Sequence, residues 1–328
     1  MASVARWFRM TRTVAGTVAR TVAGKRVFSS VWLAGSIIAL GGCGSPGDGS
    51  HGGGEGAATA PQAVLRLSAI PDQNSTETRE KIQPLVDFLA QSLGVEVAYV
   101  ASRDYQASVE MFKNGDIQLA WFGGLTGVQA RAAVPGAHAV AQGDTDPTFY
   151  SYFIAHKDTG LERSEEFPAE IAGLSFTFGS ESSTSGRLMP EYFIRQATGQ
   201  APESFFAHPI GFSGSHDKTV ELVASGQYQI GVVNYTVYDR RVEQGTTDPE
   251  VIRVIWQTPT FADYNWTVRP DLDATFGEGF TQRLVSTLVS IDDPVLLRAL
   301  PRDRLIPAED ADFEGIRQVA LELGMVRE

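Results

Sequence analysis

The chain of 328 residues carries 27 basic against 39 acidic side chains, a formal charge of −12. Six of the basic residues and none of the acidic ones fall in the first 42 positions, so the rest carries −18, a surface that argues against nucleic acid or anionic lipid as a partner. A single cysteine excludes internal disulfides, and the folded part must rely on its apolar core.

The basic residues Arg6, Arg9, Arg12, Arg20, Lys25 and Arg26 precede the apolar run Val31–Leu40 and then Gly41, Gly42 and Cys43. A basic start, a short apolar run and small residues at the end describe a secretory signal over residues 1–42. The run is shorter than the roughly 20 apolar residues that span a bilayer, so cleavage is expected. Met10 is a competing start site. Cys43 behind "LGG" resembles the lipobox of bacterial lipoproteins, which implies a lipidated anchor at Cys43 and no catalytic use of the thiol; an ordinary export signal that contains a cysteine is the alternative. Residues 43–62 are Gly-rich, without apolar periodicity, and read as a flexible tether. About 265 residues remain to fold, more than one core usually organises, and two lobes are expected.

The folded part opens with a strand in "VLRLSAI" and a helix through Ile82, Leu85, Val86, Leu89 and Leu93, closed by Gly94. Pro84 predicts that this helix starts near Gln83 or bends there. "VEVAYV", "DYQASVEMFKNG" and "DIQLAWF" continue as strand, helix and strand. The β-α-β-α-β order predicts a mainly parallel sheet flanked by helices. A second group starts at "FYSYFIAH" and includes the strand "LSFTF", a helix over Leu188–Ala197, the helix "SHDKTVELVASG" and the strand "QIGVVN". "VIRVIWQTP" and "YNWTVRP" read as strands, and "GFTQRLVSTLVSI" and "DFEGIRQVALELG" as helices. The alternation predicts two α/β lobes, residues 63–148 with 262–328 and residues 149–261, joined by two crossings.

In such sheets ligands bind where strand ends meet helix starts. Four junctions are rich in polar or aromatic residues: Pro71–Thr76, Trp121–Thr126, Ser182–Arg187 and Asn234–Tyr238. At the third, Ser182, Ser183, Thr184 and Ser185 stand in a row before Gly186 and a helix. One hydroxyl suffices for a helix cap. Four of them, with the unpaired amides and positive dipole end of a helix start, suit a tetrahedral oxyanion. His216 and Lys218 open another amphipathic helix and are a second candidate, although each equally fits a solvated cap. Tyr105 and the pair Trp121 and Phe122 are candidate pocket walls, or simply core.

Enzyme and cofactor motifs are thin. No GxSxG elbow is supported by an assignable His and acid. The five histidines show no metal spacing, and neither a P-loop nor GxGxxG occurs, so no metal and no cofactor are expected.

The segments "AIPDQNSTETREKIQPLVDFLAQSLG", "SRDYQASVEMFKNGDIQLAWFGG", "SSTSG" and "SGSHDKTVELVASGQYQIGVVNYTVYD" resemble, in order, the substrate-binding lipoproteins of phosphonate, phosphite and phosphate ABC transporters. The likeness runs from Leu65 to about Leu300. It implies a type II periplasmic-binding-protein fold with a two-strand hinge, a monomer, a permease with its ATPase subunits as partners, and no enzymatic activity. It implies ligand-binding roles for Tyr105, Phe122, Gly123, Ser183, Thr184, Ser185, His216, Asn234 and Tyr235, beside Ser182 from the hydroxyl run. "FADYNWTV" departs from the N-D-P-type segment of the phosphonate binders and is closer to members described as selenate or phosphite binders. Asp263 in that segment is expected to accept a proton from phosphate, phosphite or phosphonate and to repel fully ionised sulfate or selenate. The alternatives are a receptor for selenate, sulfate or an organic sulfonate, a sensor domain with the same site, and a secreted phosphoester hydrolase with a hydroxyl nucleophile and His216 as base.

Overall fold

The structure is a computed structural model and describes residues 63–72 and 75–327. The expected signal segment, Cys43 and the tether lie outside the described residues. The chain forms β1 (Val64–Ala69), α1 (Ser75–Leu93), β2 (Glu96–Tyr99), α2 (Tyr105–Asn114), β3 (Leu119–Phe122), α3 (Gly124–Ala133) and β4 (His138–Gly143). It then crosses to β5 (Ser151–His156), β6 (Phe176–Phe178), α4 (Met189–Thr198), α5 (Pro202–Phe205), β7 (Gly211–Phe212), α6 (His216–Ala224), β8 (Ile230–Asn234), α7 (Tyr235–Glu243) and β9 (Ile252–Gln257). It returns as β10 (Asn265–Val268), α8 (Leu272–Phe276), α9 (Phe280–Val289), β11 (Leu305–Pro307) and α10 (Glu314–Glu322).

Two sheets result, ordered β11-β4-β10-β3-β1-β2 and β7-β6-β8-β5-β9. They form the two lobes of a type II binding-protein fold. Both sheets are mixed, not mainly parallel. In the first, β1 pairs in parallel with β2 and β3, whereas β10 runs antiparallel to β3 and β4, and β11 to β4. In the second, β6 is parallel to β7 and β8, and β5 is antiparallel to β8 and β9. The cause is the crossing: β5 and β10 each enter a sheet from the other lobe, so they run against strands laid down by local β-α-β turns.

Helix α1 runs through Pro84 and starts at Ser75, well before Gln83. The proline removes the bond to the carbonyl of Glu80, on the exposed side, and an interior proline costs about 3 kcal/mol. Ile82, Leu85, Val86 and Leu89 bury the opposite stripe, and at about 1.5–3 kcal/mol each they outweigh it. In β5 the period of two sends Phe153 and Ala155 to one core, with Phe176, Ile230 and Trp256, and Tyr152 and Ile154 to the other, with Val220, Val233 and Val237. The second sheet is thus buried on both faces.

The two crossings lie side by side. Phe149 and Phe261 exchange both backbone hydrogen bonds, at 2.9 and 2.8 Å, and the Asp263 amide donates to the Asp146 carbonyl at 3.1 Å. Beneath them the Asp146 carboxylate is held by the Arg302 guanidinium, Nη2 to Oδ1 2.6 Å, and by the Gly143 amide at 2.7 Å. That guanidinium lies over the rings of Tyr264 and Phe149, 4.9 and 5.3 Å from their centroids. Buried pairing on this scale fixes where the crossing strands leave each sheet.

Candidate oxyanion-binding cleft

Five helix starts converge between the lobes, those of α2, α3, α6, α7 and the turn leading into α4. A helix start carries the positive end of the backbone dipole, so the cleft favours an anion without a cationic side chain in contact with it.

The hydroxyl run follows β6. Residues Thr184–Leu188 form one π-type turn that continues directly into α4, and the four hydroxyls divide their duties. Ser183 caps the turn, its Oγ accepting from the Gly186 amide at 2.9 Å. Thr184 Oγ1 accepts from the Leu125 amide of the first lobe at 3.0 Å, which leaves its own proton for a further acceptor. Ser185 is buried, and its carbonyl accepts from Ser151 Oγ at 2.6 Å. Ser182 instead sits at the rim and reaches Gln106 Oε1 at 3.4 Å. Gly186 is required by the neighbours: a Cβ there would stand 2.9 Å from Ser183 Oγ and 3.1 Å from His216 Cε1.

Across the cleft, the amide of Gly124 donates to Asp263 Oδ1 at 3.0 Å. The other carboxyl oxygen, Oδ2, is buried without a partner. Burial pushes this carboxyl up to about 7, against the pull of the Gly124 amide and the Thr184 and Ser185 hydroxyls. Gly123 sits between the two lobes' groups, and a Cβ on it would lie 3.1 Å from Thr184 Oγ1 and 3.2 Å from Asp263 Oδ1.

His216 begins α6 behind the Ser215 cap. Its Nδ1 accepts from the Asn234 amide at 3.3 Å, so the ring proton resides on Nε2, which is buried and unpartnered. Burial, with Arg240 nearby, lowers the ring to about 3, so it stays a neutral donor. Tyr105 is buried with an unpartnered hydroxyl, and burial followed by the charges of Asp72 and Asp263 holds that phenol well above its ordinary value. Among the described residues no group of three or more His, Cys, Asp or Glu is disposed to hold a metal ion.

Tyr105, Gly123, Ser183, Thr184, Ser185, His216 and Asp263 therefore meet in one place. Phe122 does not: its side chain is fully buried and packs edge-on to Phe112, 5.5 Å between centroids, because strand alternation turns it away from Trp121. Asn234 is committed to structure, its Oδ1 accepting from Val237 N at 2.8 Å and its Nδ2 donating to Tyr264 OH at 2.9 Å. Tyr235 stacks on Tyr150, 4.0 Å between centroids, at the crossings. Two residues absent from the expected set line the same cleft. Tyr264 stacks on Trp121 at 5.7 Å and donates to Asp72 Oδ2 at 2.8 Å, and burial pushes the Asp72 carboxyl up to about 6. Of "DYNWT", Asp263 and Tyr264 face the cleft, whereas Asn265 accepts from Arg131 and Thr267 and Trp266 is core.

Comparison with known proteins places the chain in a family. A family model for the periplasmic phosphonate substrate-binding protein of ABC transporters matches residues 67–313. The chain is 38% identical over 271 residues to a probable ABC transporter phosphite binding protein, PhnD1, of Prochlorococcus marinus strain MIT 9301, covering 80% of this chain and 91% of that one. It is 25% identical over 277 residues to the phosphate-import protein PhnD of Mycolicibacterium smegmatis, covering 78% and 84%. The 1.52 Å structure of P. marinus PhnD1 in complex with methylphosphonate superposes with a TM-score of 0.76 at 38% identity, over 80% of this chain and 99% of that one. The chain belongs to the family of periplasmic substrate-binding proteins of phosphonate ABC transporters.

Proposed function

We propose that the chain is the extracytoplasmic receptor of an ABC importer and captures a singly protonated phosphorus oxyanion, phosphite or a small phosphonate, between its lobes for delivery to a permease. The observation that carries this reading is the set of three buried, unpartnered atoms facing one cleft: two donors, Tyr105 OH and His216 Nε2, and one acceptor, Asp263 Oδ2. An anion that is all acceptor leaves the ionised Asp263 carboxylate unpaired. One with a P–OH group accepts from Tyr105 and His216, with the Thr184 and Ser185 hydroxyls beside them, and donates to that carboxylate, so each of the three atoms gains a partner. The likeness to PhnD1, whose structure holds methylphosphonate, supports the same ligand class.

The reading includes a monomer with lobes 63–148 plus 262–328 and 149–261, hinged at the paired crossings and anchored by lipid at Cys43. It is non-enzymatic. A hydroxyl nucleophile needs a base, and His216 is a poor one, with its ring lowered to about 3 and its free nitrogen protonated. Sulfate, selenate and organic sulfonates lack the proton that Asp263 asks for and are disfavoured. Calorimetry on the chain from Ala60 onward decides: phosphite, methylphosphonate and phosphate should bind one to one, with sulfate and selenate far weaker and no ester turned over. Equal binding of sulfate, or no binding of any phosphorus anion, refutes the reading.

A further inference from the structure

We infer that Asp72, Tyr264 and Asn234 form a latch between the lobes, in the wall of the cleft, that sets how fast ligand leaves. Asn234 ends β8 of the second lobe, and its amide nitrogen reaches Tyr264 OH at 2.9 Å. The tyrosine proton passes on to Asp72 Oδ2 at 2.8 Å, just after β1 of the first lobe. Asp72 is reached a second time from the second lobe, its carbonyl accepting from the His216 amide at 3.3 Å. The chain of bonds therefore runs across the cleft and back.

The parts are held rigidly enough to act together. Asn234 is pinned through its Oδ1 by the cap of α7, and its backbone amide fixes the His216 tautomer. The Tyr264 ring is stacked on Trp121 and lies over Arg302, with 3% of its surface exposed. The hydrogen-bonding groups of the three side chains are turned toward one another. Opening of the lobes separates Asn234 from Tyr264 and His216 from Asp72, so the latch exists only in the closed form. Ligand enters before the latch is made and leaves after it is broken. Loss of the latch must then raise the dissociation rate and, since it also releases any free protein that is latched, must not lower the association rate.

The test uses Tyr264→Phe, which removes one hydroxyl and keeps the ring, and Asp72→Ala at the other end of the chain. Stopped-flow tryptophan fluorescence with methylphosphonate should show dissociation about tenfold faster in Tyr264→Phe, the worth of one hydrogen bond to a charged group, and a smaller increase in Asp72→Ala, which keeps the Asn234–Tyr264 bond and the backbone bond from His216; association should be no slower than in wild type. The double variant should match Tyr264→Phe, since Asp72 acts through that hydroxyl. Small-angle scattering without ligand should give a larger radius of gyration for both variants than for wild type. Circular dichroism melts verify folding, and Asp72→Ala decides if Tyr264→Phe fails to fold. Unchanged dissociation in folded variants, a fall in association that accounts for the affinity loss, or an unchanged radius would overturn the latch. The kinetic arm rests on the proposed ligand class. If wild type binds no methylphosphonate, that class fails while scattering still judges the latch.

Discussion

Replacing Asp263 by asparagine is the sharpest perturbation of the proposed site. The amide oxygen can still accept from Gly124, now 3.0 Å from Oδ1, so the lobe contact survives. What changes is the atom facing the ligand, where an NH2 donor takes the place of the unpartnered Oδ2. A P–OH bond to a carboxylate is charge-assisted and worth about 1.5–3 kcal/mol, which is about 10- to 150-fold in affinity. Phosphite and methylphosphonate should weaken by that factor at pH 7.5, and sulfate should gain, since its acceptors now meet a donor. The same substitution should flatten the pH dependence of stability. Asp263 is raised from 3.8 to about 7, so the folded form holds its proton more tightly than the unfolded chain. Stability is therefore full below the unfolded value and falls as pH rises from about 4 to about 7, by roughly 4 kcal/mol for this group. Calorimetry with both anions and thermal melts of the free protein from pH 4.5 to 8 read the two effects. An unchanged phosphite-to-sulfate ratio would refute the role of Oδ2, and an unchanged pH slope would refute the buried, raised carboxyl.

Three further outcomes are expected. Thr184→Ala combined with Ser185→Ala should weaken methylphosphonate at least about tenfold in calorimetry, since each lost bond to an anion is worth about 1.5–3 kcal/mol; unchanged affinity would make the loop a mere cap. Gly123→Ala should weaken binding, because its Cβ at 3.1 Å from Thr184 Oγ1 and 3.2 Å from Asp263 Oδ1 props the lobes apart; wild-type affinity would show that the contact yields. Arg302→Met should destabilise the protein by about 3–5 kcal/mol in urea unfolding at pH 7.5, because Asp146 is left buried without its partner. A loss under about 1 kcal/mol would contradict that account of the crossings.

The first sheet's β-α-β-α-β core was legible because its apolar residues recur with clean periods of two and near four. Helix α3 was not, since "GLTGVQARAA" is made of small residues buried on several sides and carries little amphipathic signal. The mixed strand directions escaped local reading because they are set by crossings distant in sequence. At the site, the run Ser182 to Ser185 announced an anion-binding loop, yet the separate duties of its hydroxyls depend on what the first lobe presents: Leu125 for Thr184, Gln106 for Ser182. Of the two readings offered for Phe122, pocket wall or core, its side chain takes the core, as the period of two that opposes it to Trp121 requires. Asp72 lies in the polar junction Pro71–Thr76, but nothing local ties it to Tyr264, 192 positions away. His216 was legible as a candidate, but its neutrality follows from burial and the nearby Arg240, which the local sequence does not show.

In the proposed complex an oxyanion of phosphorus sits among Tyr105, Thr184, Ser185, His216 and Asp263. The direct measurement is a crystal structure of the chain with methylphosphonate, its phosphorus located by anomalous scattering. A peak is expected between the lobes, with oxygens in hydrogen-bond reach of Tyr105 OH, His216 Nε2 and Asp263 Oδ2. A peak in the outer groove between α2 and Ser180–Ser182, or none between the lobes, would contradict it.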